Sequence, residues 1–216
     1  MKNLLKIALI VFVIGVFTGC GCKHEYSEAT CKKPATCNLC GAETGTTLEH
    51  NYSKATCKKP ATCTLCGEEN GKATGHSTDL GKCSDCGEVI NYDVIMSIEE
   101  HLDNANYYSE LATDQSKYSS TFVTAQHWDN CMSNMAEYYG KAKDELMKAY
   151  NLCGSYSALS GLKREIKDTA DAAPVRWSGN ASNKNDLTTY LEKCKTYIIM
   201  EGTCRLECLD IMDKMK

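Results

Sequence analysis

The sequence predicts two unlike regions in one chain: small metal-stabilised repeats, held together by cysteine and histidine side chains, followed by an all-α up-and-down helical bundle. Three observations support this division. The chain of 216 residues contains 15 cysteines but only 3 phenylalanines. A unit of 26 residues is repeated in tandem from position 24 to position 75. Past residue 89, the apolar side chains change to the spacing of amphipathic helices.

The composition limits the classes of function that the chain can have. Its length is enough for one ordinary domain or two small ones. The formal net charge is -4, and no basic patch is present to neutralise phosphates, so we expect no nucleic-acid partner. The high cysteine content indicates that metal ions or disulfides supply stability that apolar burial does not.

The first residues have the pattern of an export signal. Lys2 and Lys6 precede an apolar run over residues 7–19, which is shorter than the roughly 20 residues that a membrane-spanning helix needs. The run ends in Phe-Thr-Gly-Cys at 17–20, which resembles the bacterial lipobox. This resemblance implies a lipoprotein signal peptide over residues 1–19, cleavage before Cys20 and lipidation of its thiol. An uncleaved signal anchor is the alternative.

A lipidated Cys20 would carry two acyl chains. Two chains hold a protein on a membrane where a single chain binds only weakly and reversibly. Removing residues 1–19 takes away two lysines and no acid, so the mature chain is more acidic and anionic lipids do not attract it. We therefore expect a bacterial protein tethered to the cell membrane, outside the cytoplasm, by its lipid alone.

The tandem repeat occupies residues 20–89. Residues 24–49 and 50–75 align without a gap and are identical at 17 of 26 positions, and a shortened third copy covers 76–88. Large apolar residues are scarce here, too few to offset a backbone entropy cost of about 1 kcal/mol or more per ordered residue. A covalent or metal staple is therefore required.

The spacing of cysteine and histidine favours zinc as the staple. Cys-x-x-Cys-Gly occurs three times and places two thiolates around a tight turn, as in a zinc knuckle. Each full unit reads His-x6-Cys-x5-Cys-x2-Cys, which can supply a tetrahedral site of three cysteines and one histidine. We expect two or three structural zinc ions. The candidate ligands are His24, Cys31, Cys37, Cys40, His50, Cys57, Cys63, Cys66, His76, Cys83 and Cys86, with Cys22 as a candidate twelfth.

The assignment of each histidine to a cysteine triplet stays open. His24 can complete the site formed by the three cysteines of its own repeat, or His50 can complete that site from the next repeat. In either arrangement, the third site needs Cys22 or lacks one ligand. Disulfides are the alternative to zinc, but the odd number of cysteines in each full repeat and the periodic histidines argue against them.

Residues 22–87 resemble a known kind of repeat. The pattern His-x-Tyr, Ala-Thr-Cys, Cys-x-x-Cys-Gly and Gly-His is similar to short zinc-ribbon-like repeats of exported surface proteins and lipoproteins of Gram-positive bacteria. The resemblance covers about a third of the chain. It implies a structural or binding array at the cell surface rather than a catalyst. The first copy has Glu49 before its histidine, where glycine is commoner, whereas the second ends in Gly75-His76.

Residues 90–216 predict four helices joined as an up-and-down bundle. Gly154 is expected to end the second helix, Pro174 to follow the third, and Asn185 or Ser182 to cap the fourth. Glu201 and Arg205 interrupt the fourth apolar stripe. The four stripes are Ile95, Ile98, Leu102, Ala105 and Leu111; Trp128, Met132, Met135, Tyr139, Ala142, Leu146 and Tyr150; Tyr156, Leu159, Leu162, Ile166 and Ala170; and Leu187, Leu191, Cys194, Ile198, Cys208 and Ile211.

The helical region contains no recognisable catalytic motif, and His101 and His127 are isolated, so we do not expect an enzyme. We expect this region to bind an unidentified surface protein or ligand. An exported zinc-binding protein that captures or delivers metal is the alternative function. The remaining cysteines either form one or two disulfides or pack as free thiols; they are Cys131, Cys153, Cys194, Cys204 and Cys208.

Overall fold

The computed structural model describes residues 23–117 and 124–216. The expected signal peptide, Cys20 and Cys22 lie outside these residues. The chain divides into two compact units, the first ending at Gly75 and the second beginning at His76. Each unit is described by itself.

The first unit contains two small antiparallel hairpins, one from each full repeat. Strand β1 (Ala35–Thr36) pairs with β2 (Glu43–Thr44), and β3 (Ala61–Thr62) pairs with β4 (Glu69–Asn70). Ala35 lies opposite Thr44 and Ala61 opposite Asn70, so both hairpins have the same register. The repeated sequence therefore folds into a repeated structure.

The turn of each hairpin depends on the glycine that follows Cys-x-x-Cys. Gly41 and Gly67 adopt φ angles of 75° and 73°, in the left-handed region that glycine enters without a Cβ clash. Their N–H groups donate to the carbonyls of Cys37 and Cys63 at 2.9 Å. This closes a tight loop that brings the two cysteines of each pair to the same side.

The described part of the first unit has no aliphatic core. Its only buried apolar residues are cysteines: Cys31, Cys37, Cys57 and Cys63. Its largest aliphatic side chains are on the surface, since Leu39 is 67% and Leu65 59% exposed. Within residues 23–75, cysteine thiols therefore take the place of aliphatic side chains in the interior.

The second unit begins with a third hairpin and continues into helices. Strand β5 (Gly81–Lys82) pairs antiparallel with β6 (Val89–Ile90). Four α-helices follow, as the sequence predicts, and a short 3-10 turn (Ser157–Leu159) precedes the third. The helices are α1 (Tyr92–Lys117), α2 (Ala125–Leu152), α3 (Ser160–Ala172) and α4 (Lys184–Met215).

The first three predicted stripes form most of the helical core. Most of their members are buried, and Ile98, Leu146 and Ile166 are fully so, whereas four are half-buried: Leu111, Trp128, Tyr150 and Tyr156. The shortened repeat also contributes to this core, because Leu80 is 4% exposed and packs among the helical residues. Lys82 Nζ donates to the carbonyl of Lys216 at 3.1 Å, which joins the hairpin to the end of α4.

The fourth predicted stripe is partly wrong. Ile198 is 38% exposed, and Leu187 and Leu191 are only half-buried. Glu201, taken as an interruption, is 1% exposed and belongs to the buried face. Aliphatic spacing alone misplaced the face because aromatic, sulfur and carboxyl side chains fill it: Tyr190, Cys194, Tyr197, Glu201, Cys204, Cys208, Met212 and Met215.

The ends of the helices follow the expected signals, with one correction. Helix α2 stops at Leu152, two residues before Gly154, which has a φ of 46°, and α3 stops two residues before Pro174. Helix α4 is capped by Asn183, not by Ser182 or Asn185. The Asn183 side chain accepts a hydrogen bond from the N–H of Asn185 at 3.0 Å, as an N-cap residue does.

Candidate metal centres

The second repeat brings its histidine to its Cys-x-x-Cys turn. Tyr52 forms an isolated antiparallel bridge with Cys63, and the His50 ring stacks on the Tyr52 ring with centroids 5.3 Å apart. This pairing places His50 Nδ1 3.4 Å from Cys66 Sγ. The local backbone thus assembles three candidate ligands within one repeat.

The fourth ligand of this cluster comes from the first repeat. Cys31 Sγ lies 3.9 Å from Cys63 Sγ, and one ligand atom from each of Cys31, His50, Cys63 and Cys66 lies within 4.8 Å of all the others. A tetrahedral zinc with Zn–S near 2.3 Å and Zn–N near 2.0 Å separates two sulfurs by about 3.8 Å, and sulfur from nitrogen by about 3.5 Å. The distances and the donor atoms therefore fit a closed Cys3His zinc site.

The first repeat forms a cluster of three candidate ligands. His24 Nδ1 lies 3.4 Å from Cys40 Sγ, and Cys37 completes the group. The His24 ring stacks on Tyr26, as His50 stacks on Tyr52 in the second repeat. Cys22, the candidate twelfth ligand, is outside the described residues.

The shortened copy assembles the same chemistry inside the second unit. His76 Nδ1 lies 3.6 Å from Cys86 Sγ, and Cys83 belongs to the same group. Ser77 Oγ donates to Cys83 Sγ at 3.5 Å, and Glu88 Oε2 lies 3.5 Å from His76 Nε2. A carboxylate on the second ring nitrogen of a ligating histidine orients the ring and makes it a stronger donor.

The structure divides the ligands differently from both arrangements that the sequence suggested. Cys31 does not join Cys37 and Cys40 of its own repeat but lies with the histidine and the cysteine pair of the next one. Cys31 precedes His50 by 19 positions, and Cys57 precedes His76 by the same number. Cys57 is also buried, in the same turn of the second repeat that holds Cys31 in the first.

The surroundings of each cysteine pair favour a thiolate. Desolvation opposes ionisation of Cys63, but the N–H groups of Leu65 and Cys66 and the side chain of His50 together lower its pKa to about 6. Cys37 is in the same environment and its pKa is also lowered to about 6. A thiolate is the form of cysteine that binds metal.

Cys31 is in the opposite situation. Its hydrogen bond with Cys66, its burial and its proximity to Cys63 raise its pKa to about 12. A third negative charge beside two other sulfurs is unfavourable unless a cation balances it. A divalent cation at this point would remove that penalty, so the charge of the cluster, like its geometry, suits a metal ion.

The described cysteines form no disulfides with one another, and this includes the five of the helical unit. Cys31 Sγ and Cys63 Sγ are about twice as far apart as the roughly 2.05 Å of a disulfide. In the helical unit, Cys204 Sγ is 3.3 Å from Thr169 Oγ1, and Cys131 donates to the carbonyl of Gln115. The described cysteines therefore offer a thiol core and ligand clusters, not a disulfide framework.

The two helical histidines have separate surroundings. His101 Nδ1 lies 2.7 Å from Glu145 Oε2, and Lys148 contacts the other oxygen of the same carboxylate. These contacts lower the pKa of Glu145 although desolvation opposes them. His127 lies in the first turn of α2, where its backbone N–H donates a hydrogen bond to the side-chain oxygen of Thr124. His101 thus joins α1 to α2 through a hydrogen bond to Glu145.

Comparison with known proteins gives no relative for this chain. No protein-family model matches it, and neither a curated protein nor a solved structure resembles it at a significant level. Within residues 23–117 and 124–216, none of the helices combines the length and apolar character needed to cross a membrane.

Proposed function

We propose that this chain is an exported bacterial lipoprotein, in which zinc-stabilised repeats carry a helical unit that binds a partner or ligand at the cell surface. Support for export and anchoring comes from the lipobox-like sequence at 17–20 and from the resemblance of residues 22–87 to repeats of surface proteins. Support for zinc comes from the three groups of cysteine and histidine side chains.

The four-ligand cluster is the observation that carries this proposal. Three sulfurs and one imidazole already surround a common centre at distances suited to zinc. Four protein ligands leave no open coordination position, which is typical of structural rather than catalytic zinc. The ion would hold together a unit whose buried apolar residues, over positions 23–75, are all cysteines.

The same cluster would also fix one repeat to the next. Cys31 belongs to the first repeat, and its three companions belong to the second. A zinc ion there would act as a cross-link between repeats, so that neighbouring repeats form a stiff stalk rather than independent beads. Because the four ligands of this cluster come from two repeats, this site would need two consecutive repeats.

The helical unit is proposed to be an up-and-down bundle. Helices adjacent in sequence pack against each other, and α4 also packs against α1, which closes the ring of four. In an up-and-down bundle of four helices, these are the expected neighbours.

Zinc content and exchange test the structural role. The intact protein is purified without added metal, its zinc is counted by native mass spectrometry, and a weak chelator is then added. We expect two or three tightly held zinc ions, with loss of the hairpin signals in nuclear magnetic resonance spectra only when a strong chelator strips them. Rapid zinc exchange with the hairpins still folded would instead support the alternative.

That alternative is an exported protein that captures or delivers zinc. Its support is the same set of donors, because clusters of cysteine and histidine bind zinc whether the ion is structural or exchangeable. Native mass spectra during chelation distinguish the two functions. Loss of one ion, with the others retained, would assign a cargo role to a single cluster, whereas cooperative loss supports a purely structural array.

Anchoring at Cys20 is tested independently of zinc. The full-length chain is expressed in a Gram-positive host, and the mature protein is analysed by membrane fractionation and mass spectrometry. We expect an N-terminal diacylated Cys20 in the membrane fraction and loss of both processing and anchoring in Cys20→Ala. An unmodified Cys20 in the mature wild-type protein would contradict the lipoprotein assignment.

A further inference from the structure

Helix α3 is too short to line the whole length of its neighbours. It has 13 residues, whereas α2 has 28 and α4 has 32, so at 1.5 Å per residue it spans about 20 Å against more than 40 Å. Thr169, near its end, lies beside Cys204 in the second half of α4. The first half of α4 therefore has no α3 beside it.

A cavity of about 330 Å³ lies along this first half of α4. It opens between the end of α1, the first half of α2 and the first half of α4. Its apolar lining includes Trp128, Met135, Leu191 and Ile198. A volume above about 300 Å³ with mainly apolar walls and a few polar groups is typical of small-molecule sites.

A buried hydroxyl in the wall of the cavity lacks a hydrogen-bond partner. Tyr139 is fully buried, and its hydroxyl makes no hydrogen bond among the described residues. The Thr113 hydroxyl and the Cys194 thiol approach it without reaching hydrogen-bond geometry. Leaving such a group unpaired costs about 1–3 kcal/mol, a cost that a polar partner admitted by a small shift of the cavity wall would remove.

A positive charge stands at the same cavity. Lys195 is exposed, lines the cavity, and has no carboxylate within ion-pair distance among the described residues. Many other lysines of the helical unit do have such a partner, for example Lys141 with Glu137 and Lys148 with Glu145. The unpaired cation beside an apolar cavity favours a ligand that is negatively charged at one end.

We propose that this cavity binds a small amphipathic carboxylate, with its apolar chain between Trp128, Met135 and Ile198 and its carboxylate at Lys195. This gives a ligand class to the binding role proposed for the helical unit. It rests on that part of the proposed function and is independent of the zinc sites and the lipid anchor.

The test is a calorimetric titration of the full-length, zinc-loaded protein with octanoate, octanol and octylamine, with tryptophan fluorescence as a second readout. We expect one equivalent of octanoate to bind saturably, octanol to bind more weakly and octylamine to bind weakest. Zinc content is measured on the same samples, so that failure of the zinc assignment is seen separately. Absence of saturable octanoate binding, or equal binding of octylamine, would overturn the proposal.

Two pairs of variants locate the site. Ile198→Trp fills the cavity and should abolish octanoate binding, whereas Ile199→Trp, on the neighbouring 71% exposed residue, should not. Lys195→Met should weaken octanoate binding about threefold, the size expected of an exposed ion pair, and leave octanol unchanged. Lys193→Met, outside this cavity, should change neither. Helical circular dichroism confirms folding, and equal binding by both tryptophan variants would contradict the assignment.

Discussion

The two units bury different materials. In the first, the buried apolar residues of the described part are cysteines, and leucines such as Leu39 and Leu65 are exposed. In the second, aliphatic, aromatic and methionine side chains from four helices form a continuous core. Closely packed apolar side chains stabilise a fold without a bound ion. Clustered thiolates, in contrast, repel one another unless a cation balances their charge. From this difference we predict that only the first unit depends on metal for its whole fold.

The largest expected effect comes from exchanging one buried cysteine for serine in each unit. Cys31 and Cys131 are 7% and 4% exposed, so the two changes are matched in burial. Cys31→Ser removes a ligand of the proposed zinc site. It should lower the zinc count by one and remove the link between the two repeats of the first unit. Cys131→Ser should keep the zinc count and lower the free energy of unfolding by only about 1–2 kcal/mol.

Native mass spectrometry and thermal unfolding measure this pair. If Cys31→Ser keeps the wild-type zinc count and the wild-type order of residues 23–75, then zinc does not cross-link the repeats. If Cys131→Ser loses zinc, the helical cysteines take part in metal binding, and the contrast between the units fails.

Truncation of a leucine in each unit should give the next largest difference. Leu146 is fully buried, and Leu146→Ala should lower the free energy of unfolding of the helical unit by about 2–5 kcal/mol through lost packing and a cavity. Leu65 is 59% exposed, and Leu65→Ala should cost less than about 0.5 kcal/mol. Denaturant unfolding measures both, and equal costs would show a hidden apolar core in the repeats.

Glu201 gives the helical core a dependence on pH. Burial raises its pKa from 4.5 to about 7, although Ser109 and Arg205 oppose the shift. The folded state therefore favours the protonated carboxyl. The contribution of Glu201 to the free energy of unfolding is highest below about pH 4.5, falls as pH rises, and levels off above about pH 7. At pH 8, the buried charge costs on the order of 3 kcal/mol.

Glu201→Gln should remove this cost. We expect the variant to gain up to about 3 kcal/mol of unfolding free energy at pH 8 and almost nothing at pH 4.5. Glu207 also has a raised pKa, of about 7, because of its burial and its neighbour Glu165. Both proteins contain Glu207, so its contribution to the difference cancels. A gain that is equal at both pH values would show that Glu201 is not a buried charge.

The smallest expected effect comes from glycine-to-alanine changes. Gly67 has a φ of 73°, and Gly67→Ala should cost about 1–2 kcal/mol and weaken zinc binding, because alanine is strained in that conformation. Gly202 lies inside α4 with no atom within 4 Å of an added Cβ, so Gly202→Ala should stabilise by about 0.5–1 kcal/mol. Thermal unfolding at a fixed zinc concentration compares the two variants. A change in stability of the same sign for both would contradict the description of the turn at Gly67.

Local signals in the sequence were sufficient for some of these features and not for others. The helices follow from periodic apolar residues, and the clustering of histidine with Cys-x-x-Cys follows from the repeat. The grouping of Cys31 with His50 did not follow, because in a tandem repeat each cysteine has a neighbour on either side and spacing alone does not choose between them. The buried face of α4 was misplaced because Tyr197 and Glu201 are polar in sequence but buried in the structure.

Amide hydrogen exchange of the full-length protein, with zinc and after its removal, tests most directly whether metal replaces a core in the first unit. We expect residues 23–75 to lose nearly all protection without zinc, while the central turns of α1, α2 and α4 keep theirs. Protection of residues 23–75 that persists in the zinc-free, reduced protein would contradict the account.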